Sequence, residues 1–457
     1  MKYSNRYFSF ALLALLIWTS TFSQTQIGGV ISTNTTLSLS NSPYVVTNNL
    51  LVQQGVTLEI QPGVEMKFNE AIYMQIDGTL RAAGTNSDKI KFTRNTSVNE
   101  WGGLDFTDTS TDYDSLSNSG CIMSHCEITY VGRTKRTLIT SNCSPRIEYV
   151  HFYNNTGDME FLQGSVQFYN NIVDSIFVNF HNGTVRGNMF SDYSFNWGGQ
   201  VDLRGNTLFT ENQLKGTFIR CFVNETTVIT KNIIEDVSYY GAIILVGGDS
   251  STCIKGNTFR NNDINLVITC ERHPVVTNNN FMNYGSHNVY WAEQYSGFSN
   301  SSCTLPQGSG VYATIDLSNN YWGGLSSAQL DNSIWDFNDD FSLKALIDYS
   351  PFYNDSIDVD TADCSCPTLS TNIEPIQKVL DFSIFPNPTS GLISIQVTGL
   401  TKYSINIFDS FGRLVKNKHN QNGNQHSIDL SHLSKGIYLI RIKDENGNNQ
   451  IRKIIKN

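Results

Sequence analysis

The chain has 457 residues, which is enough for two or three domains, and 39% of them are hydrophobic, an ordinary fraction for a globular protein. Charged residues make up only 16%, and the formal net charge is −10. This acidic balance argues against nucleic acid or an anionic membrane as a partner, since both are bound through basic patches. Abundant Asn, Ser, Thr and Gly favour turn-rich β-structure, because these side chains hydrogen-bond their own backbone.

Residues 1–23 have the pattern of a secretory signal peptide. Lys2 and Arg6 give a positive start, an apolar run extends from Phe8 to Trp18, and Thr21-Phe22-Ser23 forms a small-x-small cleavage motif. The apolar run is too short for a comfortable membrane span, and no later stretch approaches one. We therefore expect an exported protein with no transmembrane segment after signal cleavage.

A repeated pattern organises residues 24–352. An Asn followed two positions later by an apolar residue returns about every 22 residues, and Cys126 and Val150 continue the series backwards. This period, with short β-branched and aromatic runs between Gly, Asn and Asp, predicts a β-solenoid of about a dozen coils. The repeated asparagines are Asn171, Asn188, Asn212, Asn232, Asn257, Asn279 and Asn320.

Two physical reasons favour Asn at one position of every coil. Asn tolerates the left-handed backbone conformation of tight turns better than other non-glycine residues. Its amide can also donate to and accept from the Asn of the next coil, which satisfies buried turn groups. Both reasons predict a structural asparagine ladder and not a ligand site.

The stretch GVTLEIQPGVEMKF, which begins at Gly55, resembles the start of right-handed parallel β-helix proteins of the pectin-lyase-like superfamily. Residues 319–352, beginning NNYWGG, resemble the closing segment of many exported β-helix proteins. These resemblances imply an all-β, right-handed parallel β-helix with N- and C-terminal caps. Residues 284–310 lack a repeat marker, so we expect either one degenerate coil or a protruding aromatic loop.

After an acidic linker at residues 353–381, residues 382–457 have seven short strand patterns typical of a small antiparallel β-sandwich. Charge also changes here. Residues 24–381 carry 19 Lys/Arg against 37 Asp/Glu, whereas residues 382–457 carry 10 against 4. The acidic part would repel anionic glycans unless a divalent cation bridged them.

The last segment resembles the type A C-terminal sorting domain of the type IX secretion pathway of Bacteroidota. The motif FPNPTSG begins at Phe385, and the sequence ends in the basic run Arg452 to Lys456. The resemblance implies handling by the type IX secretion machinery, passage across the outer membrane and a secreted or cell-surface destination. The matching residues include Pro386, Asn387, Pro388, Gly391, Gly412, Gly436 and Tyr438.

No Gly-x-Ser-x-Gly, His-Glu-x-x-His, phosphate-loop or Cys-x-x-Cys motif occurs in the chain. Catalytic candidates are His273 or Tyr290 as a base and Arg272 as the cation that would stabilise an enolate. Tyr290, Trp291 and Tyr295 are candidates for stacking on sugar rings. The alternative is a polar turn beside aromatic side chains that pack on the solenoid flank.

The sequence gives only weak evidence for a metal site or for disulfides. Residues 336–340 (Asp336-Phe337-Asn338-Asp339-Asp340) match the first ligand positions of a calcium loop, but Phe341 and Ile347 replace its Gly and Glu. A calcium site of another kind and a solvated acidic turn both remain open, and no other cofactor is expected. Nine cysteines are an odd number, so at least one has no intramolecular partner. Buried apolar cysteines stacked from coil to coil are one interpretation, and one or two disulfides in an exported protein stay open beside it.

Two functions follow from the sequence. The first is a monomeric, surface-displayed β-helix that binds polysaccharide or acts in adhesion without catalysis. The second is a polysaccharide lyase or glycoside hydrolase on the same scaffold, for which fold analogy is only an indirect argument.

Overall fold

A computed structural model describes residues 24–96, 98–132, 139–192, 199–222, 227–238, 240–246, 252–269, 274–292, 313–340, 342–359, 381–398, 402–409, 414–444 and 449–457. The chain forms two compact units, Met1–Cys366 and Pro367–Asn457. The predicted signal peptide lies outside the described residues. No helix among those residues is long and apolar enough to span a membrane.

The described residues of the first unit form mainly short strands, with a 3-10 helix at Leu39–Asn41 and an α-helix, α1, at Ser327–Asp331. Its first strands are β1 (Thr25–Ile31), β2 (Thr35–Leu37), β3 (Tyr44–Val52), β4 (Thr57–Ile60), β5 (Glu65–Phe68), β6 (Met74–Ile76), β7 (Thr79–Ala83), β8 (Ile90–Arg94), β9 (Leu104–Phe106), β10 (Ile122–Ser124), β11 (Cys126–Thr129), β12 (Ile139–Ser141), β13 (Arg146–Glu148), β14 (His151–Tyr153), β15 (Met159–Phe161), β16 (Val166–Tyr169) and β17 (Ile172–Asp174). They are followed by β18 (Phe177–Phe180), β19 (Gly183–Arg186), β20 (Met189–Ser191), β21 (Gly199–Leu203), β22 (Thr207–Thr210), β23 (Gln213–Lys215), β24 (Thr217–Phe222), β25 (Val228–Thr230), β26 (Ile233–Glu235), β27 (Gly241–Val246), β28 (Cys253–Lys255), β29 (Thr258–Thr269), β30 (Val275–Thr277), β31 (Asn280–Ala292), β32 (Ala313–Asp316), β33 (Ile334–Trp335) and β34 (Ala345–Asp348).

These strands form a parallel β-helix in which each coil passes through three sheets. Sheet 1 has eleven strands in the described residues: β2, β4, β7, β10, β13, β16, β19, β22, β25, β28 and β30. Sheet 2 runs through β5, β8, β11, β14, β17, β20, β23 and β26, and sheet 3 through β6, β9, β12, β15, β18, β21, β24 and β27. The long strands β1, β3, β29 and β31 contribute to both sheets 2 and 3. The predicted parallel β-helix is confirmed.

Strand alternation fills the interior with apolar side chains. Alternate residues of each short strand point inward and stack on the equivalent residues of neighbouring coils. Phe259, Phe281 and Trp322 form one such stack, with ring centroids 4.6 and 4.4 Å apart. Burial of these side chains provides the main stabilisation of the solenoid, since each coil covers the apolar layer of the next.

The seven repeated asparagines lie at the turn from sheet 1 to sheet 2, and all are at most 1% exposed. Asn232 shows the pattern. Its Oδ1 accepts the backbone N–H of Asn212 at 2.9 Å and its Nδ2 at 3.0 Å. In turn, Asn232 donates its backbone N–H and Nδ2 to Asn257 Oδ1, both at 2.9 Å, and Nδ2 also donates to the Phe209 carbonyl at 3.0 Å. The same bonds recur from Asn171 to Asn320.

The tolerance of Asn for the left-handed conformation does not explain the ladder, because another residue adopts that conformation. The left-handed conformation belongs to the residue before each ladder asparagine, for example Glu211 with φ 58° and Lys231 with φ 56°. That preceding position also contains Asn170, Gly187 and Gly256, so it tolerates varied residues. The recurrence of Asn therefore reflects its amide hydrogen bonds and not its tolerance of positive φ.

The second unit contains β35 (Asp381–Phe385), β36 (Leu392–Thr398), β37 (Tyr403–Asp409), β38 (Leu414–Gln421), β39 (Gln425–Asp429), β40 (Gly436–Asp444) and β41 (Asn449–Lys456). Two antiparallel sheets form, in the orders β35-β36-β39 and β38-β37-β40-β41. Both contribute to one apolar core, through residues such as Ile393, Ile405 and Ile440. The predicted small antiparallel sandwich is confirmed.

Candidate functional site

The catalytic candidates from the sequence are only partly described. Arg272, His273 and Tyr295 lie outside the described residues. Tyr290 lies in β31 on the outer side of sheet 3, where its ring stacks on Trp335 with centroids 6.1 Å apart. His287 contacts both rings edge-on, at 5.6 and 6.0 Å. Burial lowers the pKa of His287, so its imidazole favours the neutral form.

The assignment of Trp291 as a sugar-stacking residue is not supported by its position. Trp291 is only 2% exposed and lies in the solenoid core. The reason is that β31 continues as a regular strand to Ala292, in register with β29, so alternation turns the residue after Tyr290 inward. A buried indole cannot stack on a glycan.

The acidic segment at 336–340 uses its carboxylates to build a turn. Asp336 accepts the backbone N–H groups of Asn338 and Ile347, both at 2.8 Å, and Asp339 accepts that of Asp336 at 3.1 Å. Burial raises the pKa of Asp336. Among the described residues, no group of three or more His, Cys, Asp or Glu side chains is arranged to hold a metal ion.

The cysteines are structural where they are described. Cys121, Cys126 and Cys143 are buried thiols, and Cys253 forms a disulfide. Burial raises the pKa of the Cys126 thiol, which disfavours the reactive thiolate. The Cys126 thiol is therefore unsuited to nucleophilic chemistry.

The sorting-motif residues pack the segment between β35 and β36 against the last strand. Asn387 donates Nδ2 to the Lys453 carbonyl at 2.8 Å and accepts the Ile455 N–H at 2.9 Å. A Cβ at Gly391 would meet Ser431 Oγ at 2.5 Å, so this position has no room for a side chain. Tyr438 is buried and donates its hydroxyl to the Ser434 carbonyl at 2.8 Å. Pro386 and Pro388 flank Asn387, Gly436 begins β40, and Gly412 lies outside the described residues.

A groove of about 660 Å³ crosses the outer face of sheet 1, and we name it the sheet 1 groove. Four consecutive coils, through β13, β16, β19 and β22, form its floor. Since neighbouring strands are about 4.8 Å apart, the floor runs along the solenoid axis for about 15 Å. The lining residues are Arg146, Glu148, Tyr149, Tyr169, Asn170, Thr184, Arg186, Leu208, Thr210 and Glu211.

Strand register arranges the groove floor in two rows. One row contains Arg146, Gln167, Thr184 and Leu208, and the other contains Glu148, Tyr169, Arg186 and Thr210. Both rows point outward because the residues between them, such as Ile147, Phe168 and Val185, fill the core. Alternation within each short strand thus turns residues far apart in sequence into one continuous surface.

Ion pairs hold the charged side chains of the groove in place. Arg146 donates Nη2 and Nε to Glu148 Oε2 at 2.7 and 3.0 Å. Two coils further on, Arg186 donates Nε to Glu211 Oε2 at 2.8 Å. The Arg146 guanidinium also lies 5.4 Å from the ring centroids of both Tyr113 and Tyr169. The groove therefore carries two cations and two anions, and each guanidinium is already paired with a carboxylate without a ligand. The Arg146–Glu148 pair is the more buried of the two.

A second cluster lies on the outer face of sheet 2. His151 Nε2 is 2.8 Å from Asp174 Oδ2, and Ser191 donates Oγ to Asp174 Oδ1 at 2.5 Å. Glu127 is the register partner of His151 in the preceding coil. Burial and the nearby Glu127 raise the pKa of Tyr153, whose ring lies 4.5 Å from that of His151. A carboxylate-oriented imidazole can transfer protons, although Ser191 bonds to the carboxylate and not to the imidazole.

Residues 383–457 match the family described as the secretion system C-terminal sorting domain. The match confirms the resemblance of this segment to a type IX sorting domain. With the parallel β-helix that precedes it, the match defines an exported β-helix protein. The protein is exported by type IX secretion and is a secreted, cell-surface protein.

The chain also has one short sequence similarity and one longer structural similarity to other proteins. It is 37% identical over 73 residues to the protein bark beetle of Drosophila melanogaster, a match that spans 16% of this chain and 2% of that protein. It is also similar to the enzymatically active domain of tailspike protein 4 of bacteriophage CBA120, with 13% identity and a TM-score of 0.28 over 88% of this chain and 62% of that one. Neither similarity identifies an activity for this chain.

Proposed function

We propose that this exported protein binds polysaccharide without cleaving it, and that the sheet 1 groove is the binding site. The observation that carries the proposal is the pair of Arg–Glu ion pairs flanking Tyr169 on a floor four coils long. Export to the cell surface brings such a groove into contact with extracellular polymers.

The charges of the groove favour a neutral glycan. Arg146 and Arg186 balance Glu148 and Glu211, so an anionic or cationic polymer gains little net attraction. Sugar hydroxyls both donate and accept hydrogen bonds, and guanidinium donors beside carboxylate acceptors match that dual character. Because the ion pairs already hold these side chains, ligand binding immobilises few additional rotamers.

Aromatic and apolar groups supply the rest of the contact. Tyr169 lies between the two ion pairs, Leu208 lies at the far end of the floor, and Tyr149 lies at the edge with its ring 4.8 Å from that of His125. Such rings offer flat apolar faces to the C–H faces of sugars, and their hydroxyls fix orientation. A groove open along the solenoid axis suits a linear chain that extends beyond it at both ends.

Binding of the purified full chain to neutral and anionic polysaccharides, measured by isothermal titration calorimetry, tests the proposal. We expect a neutral glycan to bind, and Tyr169→Ala to weaken its affinity about tenfold, as for loss of one well-packed aromatic contact. Met189→Ala is a matched control, because Met189 is exposed on sheet 2. Absence of neutral-glycan binding, or unchanged affinity in Tyr169→Ala, would reject the sheet 1 groove.

A second candidate function is cleavage of polysaccharide by a lyase or hydrolase mechanism. The His151–Asp174 pair favours it, because the carboxylate orients an imidazole that lies beside Glu127. Incubation of the full chain with a panel of polysaccharides would reveal new chain ends, and His151→Ala should abolish them. If products form equally with His151→Ala, this pair is not the catalytic group.

A further inference from the structure

The second unit exposes apolar side chains on the outer face of its four-stranded sheet. Leu414 and Ile437 are about half exposed, at 51% and 50%, and Leu439 and Ile455 are also exposed. Together with the partly exposed Phe408, these residues define what we name the apolar patch. The core of the unit lies on the opposite face, through Tyr438, Ile440 and Ile442, so the patch is not part of the core.

Strand register makes the apolar patch continuous. Phe408 pairs with Leu414 on one side and with Leu439 on the other. Ile437 pairs with Ile455 in the adjacent strand. Since Ile437 and Leu439 are two residues apart in β40, they point to the same face. Five apolar side chains thus lie together across four strands, unlike the scattered single exposures that are common on soluble proteins.

Basic side chains border the apolar patch on the side towards the C-terminal end of β40. The Arg441 guanidinium lies 4.8 Å from the Phe408 ring centroid, and Lys453 is the register partner of Leu439. Lys443 follows on the same face of β40. Residues 382–457 as a whole carry 10 Lys/Arg against 4 Asp/Glu. A complementary surface would present apolar groups bordered by carboxylates.

We propose that the apolar patch is the surface through which the type IX export machinery binds this protein, and that the machinery component presents an apolar surface with an acidic border. The family match shows that the unit is handled by this machinery, and the apolar patch is a face with the composition of a protein-binding surface. The proposal is independent of the sheet 1 groove.

Export of the full-length chain from a Bacteroidota strain with an active type IX pathway tests the proposal. The double variant Ile437→Ser/Leu439→Ser removes the centre of the apolar patch, and Lys453→Glu reverses one border charge. We expect each to lower the exported fraction and to raise the periplasmic fraction, by about tenfold for the double variant, as for the loss of a binding hot spot. Leu392→Ser is the matched control, because Leu392 is more exposed than either residue but lies in β36 of the other sheet.

Two measurements separate recognition from misfolding and from lipid binding. Urea unfolding of the purified chain should be unchanged in Lys453→Glu, which keeps every apolar side chain, so its export defect would support recognition. Co-sedimentation with vesicles of anionic lipid tests the other surface that a basic, apolar face could bind. Normal export of both variants, equal loss in Leu392→Ser, or vesicle binding that the double variant abolishes would overturn the proposal.

Discussion

Early and late coils of the solenoid make the same turn between sheets 1 and 2 with different side chains. Before Cys126 and Val150, the residues His125 and Tyr149 have φ values of 50° and 54°, as do the equivalent residues of the asparagine coils. Cys126 and Val150 are nevertheless buried without an amide. The turn itself therefore does not require Asn.

The asparagines add a continuous series of hydrogen bonds, in which each asparagine bonds to the asparagines of the adjacent coils. At its upstream end, Asn171 Oδ1 accepts only the backbone N–H of Val150, at 2.9 Å. Within the ladder, each Oδ1 accepts both the backbone N–H and the Nδ2 of the preceding asparagine. The same substitution should therefore cost more in the middle of the ladder than at its end.

The largest effect is expected for Asn232→Ala in the middle of the ladder. The change leaves the backbone N–H and Nδ2 of Asn212 and the Phe209 carbonyl without their partners in a buried environment. Since each unsatisfied buried group costs roughly 1–3 kcal/mol and partial relaxation offsets some of this, we expect the free energy of unfolding to fall by about 3 kcal/mol. Urea unfolding followed by circular dichroism measures it, and a loss below about 1 kcal/mol would contradict the ladder as a source of stability.

A smaller loss is expected for Asn171→Val at the upstream end. Here the Val150 N–H loses its acceptor and the Ile147 carbonyl loses the Asn171 Nδ2 donor, but no upstream asparagine amide loses a bond. Val is also the residue that the preceding coil already accommodates. We expect a decrease of about 1.5 kcal/mol in the same urea experiment, about half that of Asn232→Ala. Equal losses at the two positions would show that the ladder bonds act independently and not as a chain.

The sequence could predict the ladder because every rung is the same residue at nearly the same spacing. The all-β fold, the sandwich and the sorting domain followed from similarly local patterns. The two explanations of the ladder could not be separated, because a left-handed turn residue and a buried amide are adjacent in every coil.

The sheet 1 groove was not predicted, because its residues share no motif. Arg146 and Leu208 lie in one row of the floor but 62 residues apart, and only strand register brings them together. A signal was present in the alternation, since the polar residues of these strands occupy outward positions in successive coils. The sequence left residues 284–310 open between a degenerate coil and an aromatic loop, so it could not show which way Trp291 points. In the structure β31 continues to Ala292 and turns the indole inward.

A modest gain in stability is expected for Lys231→Gly, which tests the left-handed position directly. Lys231 has φ 56°, a conformation that costs a side-chain-bearing residue about 1–2 kcal/mol. Glycine removes that strain but loses about 0.5–1 kcal/mol of conformational entropy, so we expect a net gain of about 0.5–1 kcal/mol. The matched control is Gly256→Lys in the next coil, where φ is 65°. This change introduces the strain, so the free energy of unfolding should decrease. A destabilised Lys231→Gly would mean that the Lys231 side chain stabilises the turn.

The smallest effect is expected for Val150→Asn, which would extend the ladder by one coil. The new Nδ2 would have Asn171 Oδ1 as an acceptor, since the Val150 N–H already donates to that atom at 2.9 Å. These bonds offset the loss of a buried apolar side chain, so the free energy of unfolding should change by less than about 0.5 kcal/mol.

Val173→Asn is the matched control, because Val173 is equally buried but points into the apolar core of sheet 2, away from the ladder. There the amide would be buried among apolar side chains, and a loss of about 3 kcal/mol is expected. Similar losses at both positions would show that the early coils cannot accept a ladder residue, and that the apolar residues of these coils are a requirement of their packing.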